Sequence, residues 1–389
     1  MKVGASMAVY KRENYWSYRI SFKKENGKYG RINSDKKYRT KKEAQLAESA
    51  IKNKLSKGFH LDEGETLFTD YFEEWFKIYK KGKLSIENDV DINSTLNFVK
   101  ANFDGIKLKN LTRKKYQEVL NKYGEERATA TVKKKHTYMR ACIKDAVQEG
   151  VIYKDPTYRV RAIGNAPTQK ESEKFLTEKQ LIILTKNLMN THKVEYTSRN
   201  IIFFQIATGC RFSEALGLTW DCVDFEKKRV VINKTWDYKY TKFFSDTKNF
   251  SSKRSITIDE KTIELLREIK LEQTKFELKK NIRNKHNLVF CSFDSFQVVS
   301  NNAVNKTLKK FCEKSGITPS ITSHALRHTH ASLLLFKNVN IKYLSKRLGH
   351  NSITTTLQTY SHIIDEMEQQ ESRHVDNIIS SVYGIKEVK

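Results

Sequence analysis

His324 and Arg327 stand three residues apart in "HALRHTHASLLL", His350 follows in "LGH", and Tyr360 comes ten residues later in "TYSH". A second arginine, Arg211, follows a glycine turn in "ATGCRFSEALGLTW". Two arginines, two histidines and a tyrosine are suited to attacking a phosphodiester with a protein hydroxyl. Run without a metal, that reaction needs a nucleophile, charge stabilisation on the phosphate, a proton acceptor and a proton donor to the leaving oxygen. A tyrosine can be the nucleophile, and the phosphotyrosine it forms conserves the bond energy for rejoining. Arginine suits the phosphate because its planar fork binds two oxygens at once and stays charged. Arg211 and Arg327 lie on separate predicted helical elements, where they can clamp the two non-bridging oxygens. His324, one helical turn before Arg327, faces the same phosphate. The set points to DNA breakage and rejoining.

Taken singly, none of these residues is diagnostic. Arg211 could be a surface residue starting a helix, and Tyr360 is one of 18 tyrosines. His324, His328 and His330 raise the question of a metal cluster, since the first two stand at i, i+4. No glutamate adjoins His324 and no carboxylate ligand is near, so no metal site is expected. No Walker-type loop appears, and no cofactor is expected. The joint spacing carries the weight.

The elements that must hold these groups fall into three stretches, 1–62, 66–160 and 172–389. The first alternates in the manner of strands in "AVYKR", "YWSYRISF" and "KYGRIN", then turns helical in "TKKEAQLAESAIKNKL", capped by Thr40 with Glu43 three residues on. Three short strands and a helix, with Arg19, Lys23, Lys28 and Arg31 near the ribbon, suit insertion of a sheet into a DNA groove. The second stretch reads as helical throughout. Phe68, Phe72, Trp75, Phe76 and Tyr79 recur at helical spacing and read as core, as do Val132, Met139, Ile143, Ala146 and Val147. Lys133, Lys134, Lys135 and Arg140 could line a DNA-facing surface or a solvated face. Pro156 and Pro167 bracket a polar, basic segment that reads as an interdomain linker. The third stretch mixes helices with strands at 229–235 and 254–258 and ends in a helix that could dock on a neighbour. The fold class is multidomain, mainly α with small β-sheets.

Composition agrees with a polyanionic partner. The 389 residues hold 72 Lys and Arg against 45 Asp and Glu, a formal charge of +27. Residues 1–60 hold 16 basic and 5 acidic residues, a net of +11. Neutralisation of phosphate by such a surface drives non-specific nucleic-acid binding. The five scattered cysteines form no CxxC pair and suggest a reducing compartment. Without a long apolar run or a secretory leader, the expected location is the cytoplasm.

The pieces "TGCRFSEALGLTW", "TKNFSSKRSITI", "SHALRHTHASLL" and "LGHNSITTTLQTYSH", in this order over about 175–365, resemble the catalytic domain of tyrosine recombinases, especially the integrases of temperate phages and conjugative transposons. The resemblance implies an arm-type DNA-binding domain at 1–62, a helical core-binding domain at 66–160, and a catalytic domain with a C-terminal helix at 172–389. It implies that Tyr360 attacks the scissile phosphate to give a 3′-phosphotyrosine and a free 5′-hydroxyl, while Arg211 and Arg327 stabilise the pentavalent phosphate. His324 would help accept the tyrosine proton, His350 would hydrogen-bond a non-bridging oxygen, and Glu214 would brace Arg211 from behind. The family also uses a hairpin lysine as general acid. Lys248 matches best, with Lys242 and Lys253 as rivals. The implied activity is site-specific recombination of a mobile element by a tetramer on two double-stranded DNA attachment sites. The resemblance leaves room for an excision factor and a host DNA-bending protein, neither of which the sequence identifies. A type IB topoisomerase-like nicking-closing enzyme shares the tyrosine chemistry, and a non-catalytic DNA-binding regulator shares the scaffold; both remain open at this point.

Overall fold

The computed structural model describes residues 7–23, 29–34, 36–56, 65–167, 175–247 and 250–361, together with Val375, Ile379 and Val382. The chain divides into two compact units, Met1–Thr168 and Gln169–Lys389.

In the first unit, strands β1 (Met7–Arg12), β2 (Tyr15–Lys23) and β3 (Tyr29–Asn33) form an antiparallel sheet. Alternation puts Tyr18 and Ile20 on one face, where they pack with Ala47 and Ile51 of helix α1 (Lys41–Ser56). Helix α1 starts where its capping residues predict: the Glu43 N–H donates to Thr40 Oγ1 at 3.2 Å, and the Thr40 N–H donates back to the Glu43 carboxylate at 3.4 Å.

The rest of this unit is helical: α2 (Phe68–Trp75), continued by a π-helical turn at Phe76–Lys80, then α3 (Ile86–Asn102), α4 (Arg113–Gly124) and α5 (Thr129–Gln148). Phe68, Phe72, Trp75 and Phe76 are buried with Val132, Met139, Ile143 and Ala146 in one cluster. Tyr79 differs from its expected core position. It is 44% exposed, and its hydroxyl donates to Glu149 at 2.9 Å. The stretch that reads as linker is largely packed against these helices. Gln117 exchanges hydrogen bonds with the Arg161 backbone at 2.8 and 2.9 Å, and Ala162 is buried in the same cluster. A side chain on Gly164 would sit 2.1 Å from the Arg127 carbonyl oxygen, so this close approach needs glycine.

The second unit is built around α7 (Thr197–Thr208), a helix buried on most of its surface, with α10 (Asn301–Lys314) and α11 (Ser323–Phe336) packed on it. Helix α6 (Glu178–Met189) opens with a complete capping box between Thr177 and Gln180, and short α8 is Phe212–Leu216. Strands β4 (Val223–Asp224), β5 (Arg229–Ile232) and β8 (Arg254–Thr257) form an antiparallel sheet, and β6 (Lys234–Trp236) pairs with β7 (Phe244–Asp246) in a separate hairpin. The strand expected at 229–235 is thus broken at Asn233 and shared between two sheets. Helix α9 (Glu260–Lys280) covers the core formed with α7, and α12 (Ile341–Leu348) leads into a further helical segment at 353–361. Among the described residues, no helix is long and apolar enough to cross a membrane. The expected C-terminal helix falls outside the described residues except at Val375, Ile379 and Val382, each helical and exposed.

Candidate active site

Helix α11 runs from Ser323 because residues 323–336 keep small and apolar groups on its inner side, including Ala325, Leu326, Ala331 and Leu335. Arg327 shares that buried side and is only 3% exposed. Its guanidinium donates to the Gly209 carbonyl at 2.9 Å and to the Leu348 carbonyl at 2.6 Å. These two carbonyls belong to the ends of α7 and α12, each terminated by a left-handed glycine: Gly209 at φ +66° and Gly349 at φ +69°. Arg211 follows the first turn and His350 the second. One arginine therefore ties together the two turns that present Arg211 and His350.

At the first turn, a side chain on Gly209 would lie 2.6 Å from the His330 ring. His330 is itself held on both nitrogens. Arg347 Nε donates to His330 Nε2 at 3.1 Å, which leaves the proton on Nδ1 to donate to the Ile206 carbonyl at 2.8 Å. Burial, then the Arg347 charge, pushes its pKa down to about 4. His330 therefore stands apart from the His324–His328 pair, whose rings meet edge-on at 5.0 Å.

Arg211 caps α8 with its side chain 30% exposed. Glu214, one turn on and 1% exposed, accepts from the Arg211 guanidinium at 2.8 Å and from the Arg211 backbone N–H at 2.9 Å. The other side of the same carboxylate is occupied by Arg254, whose guanidinium donates to both oxygens at 3.2 and 2.9 Å. Burial alone would raise the Glu214 pKa; the charge and hydrogen bonds of Arg254, helped by Arg211, outweigh it and bring it to about 2. Arg254 carries no signal of its own in the sequence, since a basic residue opening a strand is commonplace.

The remaining groups feel the same arginines. Part of the His324 side chain reaches solvent, but desolvation on its inner side, then the charges of Arg327 and Arg211, lowers its pKa from 6.5, which favours the neutral ring at pH 7. His350 is held by Thr356 Oγ1 at 2.7 Å from Nδ1, and burial, Arg327 and Arg211 bring its pKa down to about 4. Tyr360 lies 2% exposed among Ala331, Leu335, Leu344 and Leu348, its ring 5.7 Å from that of His328. Burial pushes its pKa up to about 12 against the opposing pull of Arg327 and Arg211.

Arg211, Glu214, His324, Arg327, His350 and Tyr360 thus come together in the second unit. Lys248 lies outside the described residues. Lys242 is exposed in a left-handed conformation at φ +50°, and Lys253 is exposed with its ammonium 4.0 Å from Asp246. Among the described residues, no group of three or more His, Cys, Asp and Glu side chains is arranged to hold a metal.

The basic candidates of the first unit divide. Arg19 and Arg31 share the sheet face opposite α1, where the Arg19 and Arg12 guanidinium groups lie 5.8 and 5.4 Å from the Tyr10 ring centre. Lys23 ends β2, but its side chain and all of Lys28 lie outside the described residues. On α5, Lys133 and Arg140 are exposed. Lys134 pairs with Asp91 at 2.5 Å and Lys135 donates to Ser94 at 2.7 Å, so both are engaged by α3.

Residues 174–367 match the sequence model of the phage integrase family. The integrase of Staphylococcus phage L54a is 25% identical over 358 residues, covering 85% of this chain and 99% of that protein. In fold, the chain is similar to the Tn1549 transposon integrase in complex with transposon right end DNA, with a TM-score of 0.64 at 18% identity over 79% of this chain and 99% of that one. It is also similar to lambda integrase in a tetramer bound to a Holliday junction, with a TM-score of 0.56 at 15% identity over 89% and 96% of the two chains.

Proposed function

Because the chain belongs to the phage integrase family of tyrosine recombinases, we propose that it is a site-specific DNA recombinase that integrates and excises a mobile element through a 3′-phosphotyrosyl intermediate. The observation that carries this reading is the junction of the Gly209 and Gly349 turns through Arg327, with Arg211, His324, His350 and Tyr360 around it. Arg211 and Arg327 offset the charge that builds on the non-bridging oxygens. His324, neutral at pH 7, takes the proton of the Tyr360 hydroxyl. Thr356 Oγ1 engages Nδ1 of His350 and leaves Nε2 to meet a non-bridging oxygen, to which it donates in the tautomer protonated there. Lys248 protonates the leaving 5′-oxygen. The phosphorus–oxygen bond to the leaving strand breaks as the bond to Tyr360 forms, and the reverse attack by a 5′-hydroxyl restores the enzyme. Arginine charge does the work that a divalent metal does elsewhere, so neither metal nor ATP is required.

The open face of the first sheet, with Arg12, Arg19 and Arg31, supports a second DNA contact by residues 1–62, and Lys133 and Arg140 support a core-site contact by residues 66–160. The lambda integrase tetramer supports assembly as a tetramer on two attachment sites. The enzyme works where the DNA is, in the cytoplasm.

Covalent trapping tests the reading. Nicked suicide duplexes from the junctions of the element carrying this gene are incubated in EDTA with the wild type and with Tyr360→Phe, then run on a denaturing gel. An adduct present only with the wild type is expected. Tight, specific binding without any adduct would instead favour a non-catalytic regulator, and an adduct that vanished in EDTA would overturn the metal-free chemistry.

A further inference from the structure

Arg254 is 8% exposed, yet every nitrogen of its guanidinium is used. Nε donates to the Arg347 carbonyl at 2.6 Å, Nη1 to the Ser252 carbonyl at 2.9 Å and to Glu214 at 3.2 Å, and Nη2 to Glu214 at 2.9 Å. Glu214 in turn holds Arg211 by side chain and backbone. Arg347 stands two residues before Gly349, and Gly349 packs on Arg254 so closely that an added side-chain carbon would meet Nη1 at 2.9 Å and Cδ at 3.2 Å. Strand β8, which Arg254 opens, begins six residues after Lys248 in the sequence.

We propose that Arg254 is a positioning residue for strand cleavage, which fixes Arg211 through Glu214 and keeps it in register with the Gly349–His350 turn. The proposal rests on the recombinase reading above. Arg254 is too deeply enclosed to meet a DNA phosphate, and its hydrogen bonds are all internal. Its reach is what matters: four acceptors on three segments, α8, the end of α12 and the approach to β8. Two of those segments deliver groups of the site, Arg211 and His350, and Lys248 precedes the third in the sequence. A lysine could keep the ion pair with Glu214, but its single ammonium cannot span the carboxylate and the two carbonyls in one plane. Arg211 would then be free to shift against the phosphate, and displacements on the order of 1 Å at a reacting centre cost up to roughly a hundredfold in rate.

The experiment compares Arg254→Lys with the wild type in single-turnover cleavage at saturating suicide DNA. It is run on the natural scissile phosphate and on one carrying a methylphosphonate there. The methyl group removes the charge that Arg211 serves, so a defect acting through Arg211 shrinks on that substrate, whereas a general loosening of the fold does not. Expected are cleavage about 10- to 100-fold slower on the natural phosphate, DNA affinity unchanged within about threefold, and a rate ratio on methylphosphonate within about threefold of unity. Assays stay well below each variant's melting midpoint. The double variant Glu214→Gln with Arg254→Gln strands no buried charge, and it too is expected to cut slowly on the natural phosphate. Wild-type rates from either variant, or an equal loss on both substrates, would overturn the proposal while leaving the recombinase reading intact. Absence of any adduct from the wild type would sink the recombinase reading, and this one with it.

Discussion

Replacing Glu214 by glutamine should cost the catalytic unit a pH-dependent share of its stability. Glutamine stands in for the protonated acid, so the difference between the two proteins reports the ionisation of Glu214. Its carboxyl sits at about 2 in the folded chain against an ordinary 4.5, because two guanidinium groups outweigh its burial. Held that far below its ordinary value at a site 1% exposed, the carboxylate contributes about 3 kcal/mol at pH 7. Since the folded value lies below the unfolded one, this contribution is complete above pH 4.5 and disappears as the pH falls towards 2. At pH 3.5 it should have declined to about 2 kcal/mol. Urea denaturation of wild type and Glu214→Gln at both pH values measures the gap directly. A gap below about 1 kcal/mol at pH 7, or one that does not narrow on acidification, would refute the view that Glu214 is an ionised carboxylate held between Arg211 and Arg254.

Arg211→Lys should bind attachment-site DNA within a few-fold of the wild type yet cleave about a hundredfold more slowly, because a point charge does not reproduce the fork; equal loss of binding and cleavage would refute the role. His330 has a folded pKa of about 4 against 6.5, so its neutral form stabilises the chain above pH 6.5 and that stability is lost on descending towards 4. By pH 5 the loss should reach about 2 kcal/mol, and a melting midpoint that is flat between pH 7 and pH 5 would contradict it. Gly349→Ala and Gly82→Ala both place an alanine at positive φ, near +69° and +72°, but only the former also crowds Arg254. Gly82→Ala should cost about 1 kcal/mol and Gly349→Ala clearly more; equal midpoints for the two would show that the contact with Arg254 is slack.

Much of this was legible in the residues because the chemistry sits in short, ordered motifs. His324 and Arg327 share one helical turn, and the glycine two residues before Arg211 announces the turn that ends its helix. The Thr40–Glu43 cap and the aromatic period at 68–76 are local signals of the same kind. What escaped was tertiary. Arg254 gains its place only when α8, β8 and α12 meet, and no spacing rule joins positions 93 residues apart, the separation between it and Arg347. Residues 155–167 are polar and proline-bracketed like a linker, yet they dock because Gln117 and the backbone near Gly124 offer them partners. Lys134 and Lys135 read as solvated or DNA-facing, and only the packing of α3 on α5 supplies Asp91 and Ser94.

The two carbonyls held by Arg327 also bear on how descendants of this chain could lose activity. A relative that gave up cleavage and kept DNA binding could dispense with the Tyr360 hydroxyl by a change as small as phenylalanine, since the ring fills its apolar nest without it. It could not shed Arg327 so easily, because the ends of α7 and α12 would each lose the donor that joins them. Inactive lineages should therefore forfeit the nucleophile first and the second arginine last. Conversely, inactivity of an Arg327 variant does not by itself separate a missing phosphate contact from a scaffold that has come apart.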